Sequence, residues 1–231
     1  MADGGWFFAE THGRFASVTS SAPVKVDNPF FARIWPTIAA HETEQIRALR
    51  RENLAGLSGR VLEVGAGIGT NFAFYPDSVA QVIAIEPEHR LAVRARAAAA
   101  GAHVPVTVSD DAVENYSAAE PFDAVVCSLV LCSVSDPDSV LPELLSYLRP
   151  GGELRFLEHV ATGGIRGRFQ QLVDATIWPR LAGNCHTHRH TEQSIRAAGF
   201  EVDHSRVEQT LPVWAPLPVS EFVLGRARRP A

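Results

Sequence analysis

Short, almost uninterrupted apolar runs alternate along this chain with longer segments whose apolar residues recur every three or four positions. "RVLEV" (60–64), "QVIAI" (81–85), "VPVTV" (104–108), "DAVVCSLV" (123–130) and "GELRFLEH" (152–159) predict strands buried on both faces, as in a parallel sheet. Between them, "EHRLAVRARAAAA" (88–100) and "DPDSVLPELLSYL" (136–148) predict helices, the second with Asp136 as N-cap and Pro137 at the first helical position. Beyond His159, residues 167–182 and "TEQSIRAAGF" read as helices, the latter stopped by Gly199, and "EVDHSRV" and "SEFVLGRAR" as two closing strands. The apolar, proline-rich "LPVWAPLPV" between those strands reads as a wall or hairpin loop. Strand and helix taking turns predict an α/β fold, a Rossmann-like doubly wound sheet of about seven strands.

Upstream, residues 1–27 form an arm rich in Gly, Ser, Thr and Ala. From Asn28 the pattern is helical: Phe30, Phe31, Ile34 and Trp35 share a face, and after Pro36 a second helix carries Ile46 and Leu49 to about Arg51. We therefore expect one domain over 28–231: lid helices (28–54), a binding core (55–160), then acceptor-side helices and the closing strands (161–231).

Composition narrows the function classes. A net charge of −5 argues against nucleic acid as a partner, since phosphate binding needs a basic footprint. No run reaches the roughly 18 apolar residues that cross a bilayer, and the N-terminus lacks the pattern of a signal peptide, so no stable membrane insertion is expected. Three cysteines, an odd and small number, fit a reducing cytoplasm better than a disulfide scaffold. Lys25 is the only lysine among many arginines, a bias associated with GC-rich bacterial genomes. The chain is expected to be a monomer or homodimer.

The chemistry concentrates where the strands end. "VLEVGAGIGTN" (61–71) places Gly65, Gly67 and Gly69 directly after the first strand, at the crevice where such sheets bind ligands. A dinucleotide fingerprint would put its third glycine at position 70, which is Thr70, and no P-loop Lys-Ser/Thr pair follows. Glu86 ends the second strand, where an acid accepts from both ribose hydroxyls. Asp111, after the third strand, is placed to accept from an adenine amine. The set describes an adenosine without phosphates. "LRPGGEL" (148–154) adds a Pro-Gly-Gly turn before the fifth strand.

In this order the four features resemble the class I S-adenosylmethionine-dependent methyltransferases over roughly residues 55–160. The resemblance implies the class I fold, with S-adenosylmethionine as cofactor. It implies that Glu63, Gly65, Gly67 and Gly69, with Asn71, surround the methionine end of the cofactor. Glu86 and Pro87 fall to the ribose, Asp111 and Ala112 to the adenine, and Cys127 to the same cofactor wall. A closer resemblance, in "VCSLVLCSVSDPDSVLPELLSYLRPGGELRFLEHV" and a later Gly-Cys segment, is to the methyltransferase-like thiol methyltransferases and their bacterial relatives. It implies a small, mostly apolar methyl acceptor, with thiol sulfur favoured. A phenol, quinol or natural-product hydroxyl is the alternative acceptor. A nicotinamide-dependent oxidoreductase and a non-catalytic binding module are further alternatives. The animal members' N-terminal membrane-associating segment is not matched here, and the Gly-Cys segment departs from theirs, reading "AGNCHTHRHT".

For the acceptor side we expect Phe31, Trp35, Leu129, His159, Cys185, His186 and Trp214, with His159 as the catalytic candidate. Arg189 is expected to pair with Asp174. Cys127 and Cys132 read as small buried side chains rather than nucleophiles. "CHTHRH" (185–190) packs its candidate ligands too closely for the paired spacing of zinc motifs, so no metal is expected.

Overall fold

Every apolar run becomes a strand: β1 (Gly59–Val64), β2 (Val79–Ile85), β3 (Val106–Ser109), β4 (Phe122–Ser128), β5 (Leu148–His159), β6 (Glu201–Gln209) and β7 (Glu221–Arg228). The computed structural model describes residues 26–212 and 217–231, so the N-terminal arm up to Lys25 and Trp214 lie outside the described residues. The strands form one sheet in the order β3-β2-β1-β4-β5-β7-β6. The first five are parallel, and β7 runs antiparallel between β5 and β6.

The central strands are apolar throughout because both faces are covered. Leu62, Val64, Val125 and Cys127 belong to one buried cluster, whereas Val61, Ala124 and Val126 belong to another. Successive side chains of a strand point to opposite faces, so these clusters are the two cores of a doubly wound sheet. The chain winds from β1 outward through β2 and β3, then returns to β4 on the other side of β1. That reversal opens a crevice beyond the carboxyl ends of β1 and β4.

The helices are α1 (Pro29–Ala40), α2 (Glu44–Leu54), α3 (His89–Ala99), α4 (Pro137–Tyr147), α5 (Gly164–Asp174), α6 (Trp178–Leu181) and α7 (Thr191–Ala197). Asp136 caps α4 as expected, its Oδ1 accepting from the Asp138 amide at 3.0 Å.

Several boundaries depart from the sequence reading: β5 begins at Leu148 and takes in the expected Pro-Gly-Gly turn, β3 begins two residues late, and three further departures lie near the crevice. The first break between the lid helices lies at 41–43, not at Pro36: α1 runs through Pro36, and Thr43 caps α2 by accepting from the Ile46 amide at 3.3 Å. Proline removes one helical hydrogen bond there without ending the helix. The helix expected over 167–182 is split into α5 and α6. Pro179 cannot donate within a helix interior but fits the first turn of α6. Strand β4 stops at Ser128 because Leu129 turns into the left-handed region, at φ 60°.

Candidate active site

The crevice deepens into a cavity of about 730 Å³ running from the glycine loop to His159 and Phe222, with α1 on its open side. Its size suits a cofactor together with a small second molecule.

The glycine loop begins where β1 ends. Gly65 and Gly67 both have positive φ, 66° and 58°, and both line the cavity. A methyl group at Gly65 would lie 2.4 Å from a Val130 side-chain carbon, and one at Gly67 would lie 3.0 Å from the Trp35 indole nitrogen. The bare backbone is what lets these neighbours close over the loop. Gly69 differs: it turns away from the cavity and packs on Phe72 and Ala98, so it shapes the loop without facing a ligand.

Glu63 is buried beneath the loop, its carboxylate accepting from Asn71 Nδ2 at 3.0 Å and from the Tyr75 hydroxyl at 2.7 Å. Asn71 Oδ1 in turn accepts from Arg50 Nη1 at 3.0 Å, and Arg50 pairs with Glu42 at 2.6 Å. This polar chain ties α2 to the loop. Arg50 escaped the sequence reading, since an arginine on an amphipathic helix gives no sign that it points inward. Burial pushes the Glu63 carboxyl up to about 7, against the pull of its hydrogen bonds to Tyr75 and Asn71.

Glu86 directly follows β2 on the cavity wall. Its Oε2 accepts from the Gly67 amide at 2.7 Å and its Oε1 from the Glu88 amide at 3.0 Å. Each oxygen keeps an unused lone pair, the fork a ribose diol needs. Burial pushes this carboxyl up to about 7 as well, with the charges of Glu88 and Glu63 adding to the effect. Pro87, Ala112, Val113 and Glu114 continue the wall.

Two residues expected at the cofactor lie outside the cavity lining. Asp111 stays outside the cavity: it is exposed and accepts from the Ser109 hydroxyl, so its short carboxylate serves a local turn. Cys127 is fully buried on the core side of β4, where burial pushes its thiol well up, while Ser128 lines the cavity beside it. The alternation of the strand makes that exchange.

On the acceptor side, Leu129 lines the cavity in its left-handed conformation, a strained geometry for a branched side chain. Loop 130–132 follows, held from below by the fully buried Glu158. Its carboxylate accepts from the amides of Val130 (3.0 Å), Leu131 (2.9 Å) and Cys132 (3.2 Å). Desolvation nonetheless raises its pKa. His159 faces the cavity with its ring 4.7 Å from that of Phe222. Its Nδ1 lies 3.5 Å from Cys185 Sγ and 3.7 Å from Cys132 Sγ. Cys132 is buried as the sequence suggested, yet it also lines the cavity.

Phe31 and Trp35 stack at 5.4 Å on α1 and line the same space. Gly183 and Asn184 adopt consecutive left-handed conformations, φ 63° and 65°, which bring the chain tightly against Phe31 and aim Cys185 inward. His186 does not reach the cavity; its backbone amide bonds to the Cys132 carbonyl at 2.7 Å, and burial lowers its imidazole pKa. Arg189 donates to the Leu131 carbonyl at 2.6 Å instead of to Asp174. The Asp174 carboxylate is occupied by the amides of Thr187 and His188 and by the Thr187 hydroxyl.

Residues 38–205 match the family described as Methyltransferase domain. The chain is 33% identical over 211 residues to thiol S-methyltransferase TMT1B of Mus musculus, an overlap of 86% of this chain and 85% of the relative. With thiol S-methyltransferase TMT1A of Homo sapiens it shares 33% identity over 180 residues, 68% of this chain and 69% of that one. Among solved structures, the N-methyltransferase NodS from Bradyrhizobium japonicum WM9 in complex with S-adenosyl-L-homocysteine superposes with a TM-score of 0.61 at 19% identity, covering 81% of this chain and 87% of that one. The glycine loop and the buried Glu86 carboxylate share one cavity with the stacked Phe31 and Trp35, and the similarities show the family: the chain belongs to the S-adenosylmethionine-dependent methyltransferases, in the family that contains the TMT1 thiol S-methyltransferases.

Proposed function

We propose that this methyltransferase transfers the methyl group of S-adenosylmethionine to the sulfur of a small, mostly apolar thiol. One observation carries the reading: a single cavity joins the glycine loop and Glu86 to the pocket end formed by His159, Cys185 and Phe222. The relatives named as thiol S-methyltransferases support sulfur as the acceptor atom.

S-adenosylmethionine brings an electrophilic methyl on a positively charged sulfur, so the protein's task is chiefly alignment, worth about 7–11 kcal/mol in well-oriented reactions. Glu86 accepts the ribose hydroxyls, Ala112 and Val113 flank the adenine, and the backbone of Gly65 and Gly67 approaches the methionine end. Phe31 and Trp35 close the cavity and exclude water. A thiol of pKa about 8.5 is partly ionised near neutrality, so His159 needs only to orient the acceptor and favour its thiolate.

The compartment we propose is the cytoplasm, as a monomer or homodimer without a nucleic-acid partner. The net charge of −5 supports the absence of a nucleic-acid partner. Among the described residues no helix is long and apolar enough to cross a membrane.

The test is a panel of small thiols, each matched to a phenol or alcohol of the same shape. The thiol of each pair should have the higher kcat/KM; a panel in which only phenols turn over overturns the sulfur assignment.

A further inference from the structure

Cys132, His159 and Cys185 come from three separate segments: the loop after β4, the end of β5 and the left-handed turn after α6. Among the described residues they form a cluster whose ligand atoms all lie within 4.8 Å of one another. The measured separations are 3.6 Å between the sulfurs, and 3.7 and 3.5 Å from Nδ1 to Cys132 and Cys185. A tetrahedral zinc, with bonds of about 2.3 Å to sulfur and about 2.0–2.1 Å to nitrogen, would set sulfurs about 3.8 Å apart and nitrogen about 3.6 Å from each. The triangle is therefore already the right size.

We infer that Cys132, His159 and Cys185 form a zinc site whose fourth position opens into the cavity and takes the sulfur of the methyl acceptor. The expectation of no metal rested on the adjacent run 185–190, whereas the fold draws its ligands from further apart. Two thiolates and a neutral imidazole balance a divalent cation, so the buried assembly gains no net charge. The surroundings are fixed in advance. Glu158 pins the backbone of Cys132, and the His186 amide bonds to the Cys132 carbonyl, locking the two cysteine segments together. Three protein ligands with one open position is the pattern of catalytic rather than structural zinc, and all three residues line the cavity.

The chemistry rests on the thiol-methylation reading and balances without a further reagent. On binding zinc the acceptor thiol gives its proton to solvent, as coordinated thiols do. The zinc-held sulfur lone pair attacks the methyl carbon as the bond from that carbon to the cofactor sulfur breaks with its electron pair. S-adenosylhomocysteine and a neutral thioether result. The thioether is a poorer ligand than a thiolate and leaves the metal.

The test uses the full chain, reduced, loaded with zinc alone or cobalt(II) alone. Elemental analysis should find about one zinc per chain after desalting. The cobalt form should show tetrahedral visible bands and a thiolate charge-transfer band that strengthens when a small aliphatic thiol is added. Cys185→Ser and His159→Ala should each lower zinc affinity beyond the about 10- to 100-fold typical of changes outside the ligand shell. Both variants should still bind S-adenosylhomocysteine, which shows that they fold. A reduced chain that retains no zinc, or variants that bind it as well as the parent, overturns the site. A cobalt spectrum indifferent to thiol overturns the acceptor's place on the metal. Failure of the parent to bind S-adenosylhomocysteine would instead strike the methyltransferase reading, and leaves the metal measurements to be judged separately.

Discussion

Replacing Glu86 by glutamine tests the ribose contact proposed for it. The parent carboxylate already accepts from the amides of Gly67 and Glu88, one on each oxygen, and offers its remaining lone pairs to the cavity. Glutamine supplies one oxygen and sets an NH2 against one of those amides, so half of the acceptor fork becomes a donor. Hydrogen bonds to a charged group contribute about 1.5–3 kcal/mol. Loss of one therefore weakens S-adenosylhomocysteine binding about 10- to 150-fold. A second signature separates this role from a merely structural one. Burial holds the free Glu86 carboxyl near 7. Ribose hydroxyls donate to the charged form and lower that pKa, so binding releases a proton. Parental affinity should consequently fall as pH drops through about 7, approaching tenfold per unit. The glutamine variant should lose that dependence. Calorimetric titration in buffers of different ionisation enthalpy reads affinity and proton release together. A folded variant with parental affinity and an unchanged pH profile refutes the ribose assignment.

Further expectations follow from the same geometry. Glu63→Gln can still accept from Asn71 and can donate to the Tyr75 oxygen, and it removes a carboxyl raised from 4.5 to about 7. The folded state holds that proton to higher pH than the unfolded chain, so stability falls between those values as pH rises. The variant should lose this component and gain up to about 3 kcal/mol at pH 8; denaturation that finds it less stable there contradicts the reasoning. Gly65→Ala combines a left-handed backbone with a 2.4 Å approach to Val130. It should cost about 1–3 kcal/mol of stability and most of the cofactor affinity; unchanged melting and binding would count against the tight loop. Glu158→Gln turns an amide N–H against one of three amides that the carboxylate now satisfies. It should lower stability by about 1–3 kcal/mol and slow methyl transfer more than it weakens S-adenosylhomocysteine binding; parallel losses in both would disprove its role on the acceptor side.

What the sequence made legible follows from periodicity and local chemistry. The strands announce themselves because both faces of the sheet are covered, and Gly65, Gly67 and Glu86 line the cavity because a doubly wound sheet opens its crevice where these strands end. Cys127 lies off the cavity because the alternation of β4 turns Ser128 to it instead, whereas Asp111 sits past the end of β3 and its carboxylate is engaged by Ser109. Arg50 was hidden because its partners Asn71 and Glu42 meet it only in three dimensions. The Cys132–His159–Cys185 triangle spans 54 positions of the chain and leaves no spacing motif. Pro36 misled because proline signals a helix end more often than it causes one.

Methyl transfer to sulfur is read directly by incubating the protein with S-adenosylmethionine bearing a deuterated methyl group and a small aliphatic thiol, and weighing the products. S-adenosylhomocysteine should form together with a thioether carrying the whole deuterated methyl. Unmodified thiol, with the label transferred only when a phenol replaces it, would contradict the assignment of sulfur as the acceptor.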